Sequence, residues 1–331
     1  MFNNFNELRR HFCNEMICAQ HIEQLRWGGS PVCPHCGSER HYRTKTRLKH
    51  PELANYKDFF CIACRKKYSV LTGSIYQSSK VSLQLWILAH YLISNHKKGI
   101  SSVQLATDLG ITQSTAWYML HRIRASLIEV DLPKFEGVTS LDETYIGGKQ
   151  KNRSAEKKKK YVGKKNFYGK FPVMGLVNNG KARLFAIPDA KYYTVRRVIR
   201  KNIQLHTTIV SDDLGAYQTL SKKFDHQVVV HSRKRYVNSE GYSTNNVENL
   251  WSILKRGIVG IYHKVSQGHL QLYCNEFEFR YNHRDVSPIQ RFEESIRRCD
   301  RAQLLYKNLT DKEYGQQQFR PAARKRKTQG A

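Results

Sequence analysis

Hydrophobic positions in the first 130 residues recur at helical spacing, with apolar side chains three and four residues apart. The segments with this spacing are 3–27, 81–93, 101–109 and 113–128. A turn cluster, Gly28-Gly29-Ser30-Pro31, follows the first of them. The stretch 31–75 is polar and carries cysteines. We therefore expect a helical N-terminal half, interrupted by a small cysteine-bearing unit.

Beyond residue 137 the pattern becomes that of an α/β domain. Residues 129–137 contain Pro133 and Gly137 and are typical of a linker. The order from 138 is then predicted to be β-β-β-α-β-α-β-α. The predicted strands are 138–146, a hairpin within 172–187 around Asn178-Asn179-Gly180, 207–211 and 227–231, and the predicted helices are 191–203, 215–224 and a long one from Asn245.

The two patterns predict a chain of several units. The expected segments are a helical one at 1–28, a cysteine-bearing one at 29–75, a helical one at 80–130, an α/β domain at 137–300 and a basic tail at 301–331. The longest mostly apolar stretch, 85–93, contains a His and is too short to span a bilayer. The N-terminus lacks the apolar core of a secretory signal.

The charge balance points to a polyanionic partner. Lys and Arg number 56 against 27 Asp and Glu, a net charge of +29. Nucleic acid is the expected partner, whereas a polybasic membrane protein would carry amphipathic or lipidation signals, which are missing. Residues 147–170 hold ten cations, including Lys149 and Lys151, and one acid. We expect this loop to contact DNA phosphates; the alternative is a solvated loop.

Four of the eight cysteines form two C-x-x-C pairs, Cys33/Cys36 and Cys61/Cys64, 24 residues apart. Such pairs can present four thiolates tetrahedrally to one structural Zn²⁺. A redox pair is the alternative, but it needs one C-x-x-C at a helix N-terminus. His35 or His41 could replace a ligand. The remaining cysteines, 13, 18, 274 and 299, are interpreted as ordinary thiols in a reducing compartment.

Residues 97–124 have the layout of a helix-turn-helix. Ser101 or Ser102 can cap a first helix, Gly110 permits the turn, and Thr112 can cap a second helix. In that helix Trp117, Leu120 and Ile123 are expected to face inward. The residues expected to face outward are Gln113, Ser114, Thr115, Tyr118, His121, Arg122 and Arg124, of which Gln113, Ser114, Thr115 and Arg122 are the DNA-contact candidates. A plain αα-hairpin is the alternative.

Three carboxylates are candidates for a second metal site. Asp142 lies within a strand, Asp212 follows an apolar strand, and Glu248 lies at the edge of an apolar helical stripe, with Lys255 two turns on. Singly they could be a satisfied strand carboxylate, a helix cap and a first-turn acid. Together they could converge at one sheet edge and hold two Mg²⁺ ions for phosphoryl transfer.

Taken together, these motifs resemble those of the bacterial insertion-sequence transposases of the DDE type that carry an N-terminal zinc ribbon and an ISXO-type domain. The matching stretches, within roughly 9–290, are RWGGSPVCPHCGS, FFCIACRKKYSVLTGSIYQSSKVSLQLW, KGISSVQLATDLGITQSTAWYMLHRIR, LDETYIGGK, SDDLGAYQTL, TNNVENLWSILKRG and EFEFRYNHR. The resemblance implies a ribonuclease H-like catalytic fold. It also implies Mg²⁺-dependent cutting of transposon ends and joining to target DNA.

By the same resemblance Asp142, Asp212 and Glu248 form the catalytic triad and bind Mg²⁺, and Lys255 contacts DNA phosphate. Thirty-five residues separate Asp212 from Glu248. The alternatives are Asp213 for the second acid and, because some relatives use Asn there, Asn245 or Asn246 for the third. Many relatives carry His where this chain has Ser243; His231 remains available.

The leading hypothesis is an active transposase in the cytoplasm, associated with the nucleoid and acting as a homo-oligomer, because transposition joins two ends. The alternatives are a transposase-derived DNA-binding regulator that has lost catalysis, and a nuclease that cuts without joining. The complete acid triad argues against the regulator. The predicted zinc ribbon and helix-turn-helix favour recognition of a specified DNA end over a general nuclease.

Overall fold

The computed structural model describes residues 4–44, 58–129, 132–148, 155–156, 169–212, 217, 220–222, 224–229, 240–301 and 304–310. The chain begins with helices α1 (Phe5–His11) and α2 (Glu15–Trp27). The side chain of Asn14 caps α2 by accepting from the Ile17 N–H at 2.9 Å, and Gly28 ends the helix in the left-handed conformation. The predicted helical segment is therefore two short helices.

A small antiparallel sheet follows, in the order β1-β2-β3. Its strands are β1 (His41–Arg43), β2 (Asp58–Cys61) and β3 (Lys67–Ser69). Phe59 and Tyr68 stack at 5.1 Å between ring centroids, and Trp27 packs edge-on against Phe59. This aromatic cluster is too small to provide, by burial alone, the free energy needed to fold the small sheet. Another interaction must therefore stabilise it.

Three helices form the rest of the N-terminal half: α3 (Leu83–Asn95), α4 (Ser102–Leu109) and α5 (Gln113–Ser126). The Ser101 hydroxyl accepts from the Gln104 N–H at 3.1 Å, and the Thr112 hydroxyl accepts from the Thr115 N–H at 3.3 Å. Gly110 lies between the helices at φ +66°. The predicted caps and turn are thus in place, because short polar side chains and a glycine suit these positions.

The second half is built on a five-stranded mixed sheet in the order β6-β5-β4-β7-β8. The strands are β4 (Val138–Ile146), β5 (Phe171–Asn178), β6 (Lys181–Ala186), β7 (Thr208–Ser211) and β8 (Asp225–Val228). β4, β5 and β6 are antiparallel neighbours, whereas β7 and β8 run parallel to β4. The prediction of an α/β architecture is confirmed.

Two local details of this sheet differ in their agreement with the sequence. Asn179 and Gly180 both have positive φ, 45° and 74°, as a two-residue hairpin turn requires. The last strand was predicted at 227–231 but lies at Asp225–Val228, because it pairs in register with all four residues of β7. Of the helix predicted at 215–224, the structure describes only 217, 220–222 and 224, and there Leu220–Lys222 form a 3-10 turn.

Helices cover both faces of this sheet. On one face lies α6 (Tyr192–Asn202), and on the other α7 (Asn245–Gly257), a π-helical turn at Ile258–Tyr262 and α8 (Leu270–Asn282). Successive residues of β4 point to opposite faces, so Leu141 packs beneath α6 and Ile146 belongs to the cluster with α7 and α8. Asp142 therefore faces α7.

The segment predicted as one α/β domain, 137–300, contributes side chains to the N-terminal core as well as to the clusters on the two faces of the sheet. Helix α9 (Pro288–Arg297) buries Phe292 and Ile296 with Leu8, Phe12 and other side chains of the N-terminal helices. A short helix, α10 (Tyr306–Thr310), then follows, with Leu304 and Leu309 packed near α5. The basic tail 311–331 lies outside the described residues. In the described ranges, no helix is both long and apolar enough to cross a bilayer.

Candidate functional site

The four paired cysteines converge. The Sγ atoms of Cys33, Cys36, Cys61 and Cys64 all lie within 4.8 Å of one another. The Cys33–Cys64 distance is 3.7 Å and the Cys36–Cys61 distance is 3.6 Å. A turn closed by the Gly37 N–H to the Cys33 carbonyl at 2.8 Å presents one pair, and the end of β2 presents the other. The cluster includes neither His35 nor His41.

Four thiols gathered this closely suit Zn²⁺, which takes tetrahedral sulfur ligands in structural sites. The cysteines fit that ion in type, number and spacing. The cluster lies beside the small aromatic core of β2 and β3, with Cys33 and Cys61 buried. A metal there would supply the folding free energy that so small a core lacks. The prediction of a structural zinc site is supported.

Away from the cysteine cluster, a cavity of about 400 Å³ opens at the edge of the five-stranded sheet. Strand register explains its position: Ser140 pairs with Val210 in the parallel pair β4–β7, so Asp142 and Asp212, two residues further on, are level. Helix α7 closes the remaining side with Glu248. The lining residues are Asp142, Glu143, Thr144, Asp212, Thr244, Glu248, Trp251, Ser252 and Lys255.

Helix α7 presents its polar edge to this cavity because its apolar stripe, Val247, Leu250 and Leu254, is buried against the sheet. Trp251 Nε1 donates a hydrogen bond to Asp142 Oδ2 at 2.8 Å. The Thr244 hydroxyl donates to Glu248 Oε1 at 3.0 Å. Each hydrogen bond fixes the orientation of one carboxylate at the cavity, that of Asp142 or that of Glu248.

The electrostatics of the cavity favour a bound cation. Burial raises the pKa of Asp142 to about 6, and the negative charges of Asp212 and Glu248 add to the rise against the opposing Trp251 hydrogen bond. Among the described residues, only the four cysteines bring three or more ligand atoms within 4.8 Å of one another. The three carboxylates are thus spread around one cavity rather than clustered at a point.

Sequence reasoning missed the role of Glu143, which it treated only as a neighbour of Asp142. Glu143 points to the opposite face of β4, where the buried Tyr217 hydroxyl donates to its carboxylate. Burial raises the pKa of Glu143 to about 7. The signal was present, because successive side chains of a strand point to opposite faces, so in a strand covered on both sides each of two adjacent acids meets a covering element. Tyr217 lies five residues after Asp212, so the pair ties the chain after Asp212 to β4.

Several candidate residues are not part of this cavity. Asn245 and Asn246 are exposed at the start of α7, outside its lining. The Ser243 carbonyl accepts from the Ser140 hydroxyl at 3.2 Å, which anchors the segment before α7 to β4. The candidates Asp213, His231, Lys149 and Lys151 lie outside the described residues.

The exposure predicted for α5 was correct only in its first turn. Gln113 and Ser114 are exposed and Thr115 is half-buried, and Gln113 Nε2 donates to the Ser102 hydroxyl at 2.8 Å. The prediction that Arg122 faces outward was wrong: it is 4 % exposed, and its guanidinium donates to the Gln77 carbonyl at 2.8 Å.

Other outward predictions for α5 fail for the same reason, since helices distant in sequence cover it. His121 and Arg124 are buried, Tyr118 is half-buried, and Trp117, predicted to face inward, packs partly exposed in the cluster of Leu272, Leu304 and Leu309. The helix-turn-helix prediction used residues 97–124 alone. It therefore took no account of α8 and residues 304–310, which cover part of α5.

A buried ionic cluster joins α5 to α8. Glu276 accepts from Arg124 Nε at 2.6 Å and also from Arg280 and Tyr262, and its side chain is fully buried. Burial alone would raise the pKa of Glu276, but the two guanidinium groups hold it below its usual value. These ion pairs therefore fix α5, which follows the turn at Gly110, to α8, which covers the sheet.

Comparison with known proteins matches both halves of the chain. Residues 13–67 match the transposase zinc-ribbon domain, and residues 134–282 match the ISXO2-like transposase domain. A protein of Halobacterium salinarum, described as an uncharacterized protein in transposable element ISH50, is 25 % identical over 280 residues, 81 % of this chain and 91 % of that protein. The recognition from motifs is confirmed: the chain has a transposase zinc ribbon followed by an ISXO2-like transposase domain, the organisation of the insertion-sequence transposases that it resembles.

Proposed function

We propose that this protein is the transposase of an insertion sequence, and that it cuts transposon ends and joins them to target DNA with Asp142, Asp212 and Glu248. The observation that carries the proposal is their convergence: three carboxylates from β4, the end of β7 and α7 line one cavity together with Lys255. These elements are far apart in sequence. Separate structural roles, as a strand carboxylate, a helix cap and a first-turn acid, do not explain why the three acids line one cavity.

The donor set fits Mg²⁺, which prefers carboxylate oxygens and is held by few protein ligands. Asp142, Asp212 and Glu248 would hold the metal. When bound, a pair of Mg²⁺ ions stabilises the attacking and leaving oxygens of an in-line phosphoryl transfer. Burial raises the pKa of Asp142, and the charges of Asp212 and Glu248 add to the rise; this supports the assignment, because a bound cation stabilises the charged carboxylate.

The other residues of the cavity position the acids and the DNA. Trp251 holds Asp142, and Thr244 holds Glu248, each by one hydrogen bond. Lys255 lies seven residues after Glu248 on the same face of α7 and is exposed at the cavity. We assign it to a phosphate of the DNA strand that enters the site.

We further propose that the sheet domain has the ribonuclease H-like fold. Three antiparallel strands followed by two parallel ones, with the first acid on the first, central strand, support this assignment. We propose the domain limits 29–75 and 80–130, and for the domain predicted at 137–300 an end before α9, because α9 packs into the N-terminal core.

The DNA-binding parts are proposed on exposure and charge. α4 and α5 would act as a helix-turn-helix that reads DNA with the first turn of α5, where Gln113, Ser114 and Thr115 remain accessible, consistent with base contacts from the N-terminal end of a recognition helix. Arg122 is withdrawn from that set. A homo-oligomer, with a subunit at each transposon end, completes the proposal.

The test is a Mg²⁺-dependent cleavage and strand-transfer assay on DNA carrying the terminal sequences that flank the gene. Asp142→Asn, Asp212→Asn and Glu248→Gln should each lower cleavage by about 100-fold or more while DNA binding persists. Asp285→Asn is the matched control, because that carboxylate is 81 % exposed and does not line the cavity. Cleavage that survives any of the three substitutions would remove that residue from the triad.

A DNA-binding regulator without catalysis predicts a different result. The parent protein would then bind the terminal sequences tightly and show no metal-dependent strand cleavage. Cleavage without joining would instead indicate the nuclease.

A further inference from the structure

Helix α6 has one apolar and one cationic face. Val195 and Ile199 are buried against the sheet, where they pack with Leu141, Met174 and Leu176. Lys191 directly precedes the helix, the helix itself carries Arg196, Arg197, Arg200 and Lys201, and no acid occurs between residues 190 and 206. Spacings of three and four residues place the four cations of the helix along one stripe of its surface.

Ion pairs and the helix dipole are the usual compensations for concentrated charge on a helix, and they account for only part of this stripe. Among the described residues, the ion pairs do not involve Arg196, Arg200 or Lys201. Arg196 and Arg200 repel each other as like charges four residues apart. Cations in the last turn complement the helix dipole, which accounts for Arg200 and Lys201, whereas the Arg196 guanidinium donates to the uncharged Tyr192 hydroxyl.

An aromatic ring lies in the same stripe. Tyr193 is 83 % exposed in the first turn of α6, whereas tyrosine is intermediate in its usual burial. Together with four cations it lines a shallow open groove; these are Arg196, Arg197, Arg200 and Lys201. A tyrosine hydroxyl beside guanidinium and ammonium groups is a set of donors that suits the phosphates of a nucleic acid backbone.

The course of the chain sets the direction of the stripe. β6 ends at Ala186, which pairs with Val173, and Val173 pairs with Thr144 near Asp142. α6 therefore starts at the carboxylate end of the sheet and runs to Ile203, which bridges to Phe135 at the other end. The stripe lies on the face opposite α7.

From the charge, the exposed ring and this placement, we propose that the α6 stripe, Tyr193 to Lys201, is a second DNA-binding surface. It binds the backbone of duplex DNA that lies outside the carboxylate cavity, without reading its sequence. The proposal rests on the proposed function, because it assigns a place to the duplex beside the cutting site.

The test uses the full chain without Mg²⁺, a fluorescent duplex of random sequence, and titrations at several salt concentrations. Arg196→Gln/Arg197→Gln and Arg200→Gln/Lys201→Gln should each weaken binding several-fold and reduce the slope of log K against log salt by about two. Arg9→Gln/Arg10→Gln on α1 is the matched control, since it removes two adjacent, exposed cations of another helix. The control should bind as the parent does.

Each outcome bears on one proposal. Unchanged affinity and salt slope in both α6 variants would overturn the second surface, even if the carboxylate variants abolish cleavage. A loss of random-duplex binding confined to the α6 variants would support it, even if no cleavage is found. If instead those variants lose binding only to vesicles that contain phosphatidylserine, the stripe is a membrane surface and the proposal fails.

Discussion

The indole N–H of Trp251 donates to Oδ2 of Asp142 at 2.8 Å, and this bond links α7 to the central strand at the candidate active site. We expect Trp251→Phe to preserve most of the packing but to remove the donor from a carboxylate that burial already destabilises. A hydrogen bond to a charged group contributes about 1.5–3 kcal/mol, so cleavage should fall by about tenfold or more. The measurement is the cleavage rate against Mg²⁺ concentration. Trp27→Phe, in the zinc-ribbon region, should leave that rate unchanged.

Gly175 pairs with Asp142 across β4 and β5 and leaves room for the Trp251 ring. A Cβ added there would lie 2.6 Å from Trp251 Cη2, too close for two rigid, buried groups. Gly175→Ala should therefore displace the indole, lower the free energy of unfolding by about 1–3 kcal/mol and reduce cleavage. Gly260→Ala is the control, because its Cβ would meet no atom within 4 Å. Equal stability of the two variants in urea would contradict this view of the contact.

The cysteine cluster predicts that zinc is structural. Cys61→Ser should reduce bound zinc from about one ion per chain to nearly none and expose the 29–75 region to proteolysis, because that region has little hydrophobic core of its own. Cys13→Ser should retain the zinc, since Cys13 is exposed and lies outside the cluster. Metal content of the purified proteins, followed by limited proteolysis, checks both. Full zinc in Cys61→Ser would exclude this residue as a ligand.

Glu276 forms the centre of the buried ionic cluster between α5 and α8. Glu276→Gln should lower the free energy of unfolding by about 3–5 kcal/mol, because it leaves Arg124 and Arg280 as uncompensated buried charges. Glu293→Gln breaks an exposed pair with Arg297 at 3.5 Å and should cost less than about 0.5 kcal/mol. Chemical denaturation of both variants gives the comparison. A small effect for Glu276→Gln would mean that water or another group solvates the two arginines.

His90 predicts a defined acid sensitivity. It is fully buried between the Tyr76 hydroxyl and the Ser295 hydroxyl, each at 3.0 Å, and burial lowers its pKa from 6.5 to about 3. The neutral ring is favoured in the fold, so its stabilising effect is complete above pH 6.5 and is lost as pH falls toward 3. In that window the loss approaches about 1.4 kcal/mol per pH unit.

The variant His90→Gln tests this pH dependence. It lowers stability at neutral pH by removing packing and hydrogen bonds, but its free energy of unfolding should fall less steeply than that of the parent between pH 6.5 and 4. Urea denaturation at several pH values measures both slopes. Parallel curves would show that His90 does not titrate in this window.

Local chemistry determined much of this protein from the sequence. The C-x-x-C pairs, the caps at Ser101 and Thr112 and the Asn179-Gly180 turn each depend on residues close together in the chain, and each is present as predicted. The apolar stripe of α7 likewise depends only on helical periodicity. Such features are readable because their energies arise within a few residues of one another.

Only the tertiary structure decided which faces were covered. Arg122 and Arg124 carry the charges of a DNA-reading helix, yet α8 and the turn at Gln77 bury them with partners far away in sequence. Glu143 accepts a hydrogen bond from Tyr217 because β4 is covered on both faces. Helix α9 packs into the N-terminal core and not onto the sheet. The meeting of Asp142 with Asp212 also required strand register. Long-range packing set these outcomes, because the free energy of burying a face depends on which distant element covers it.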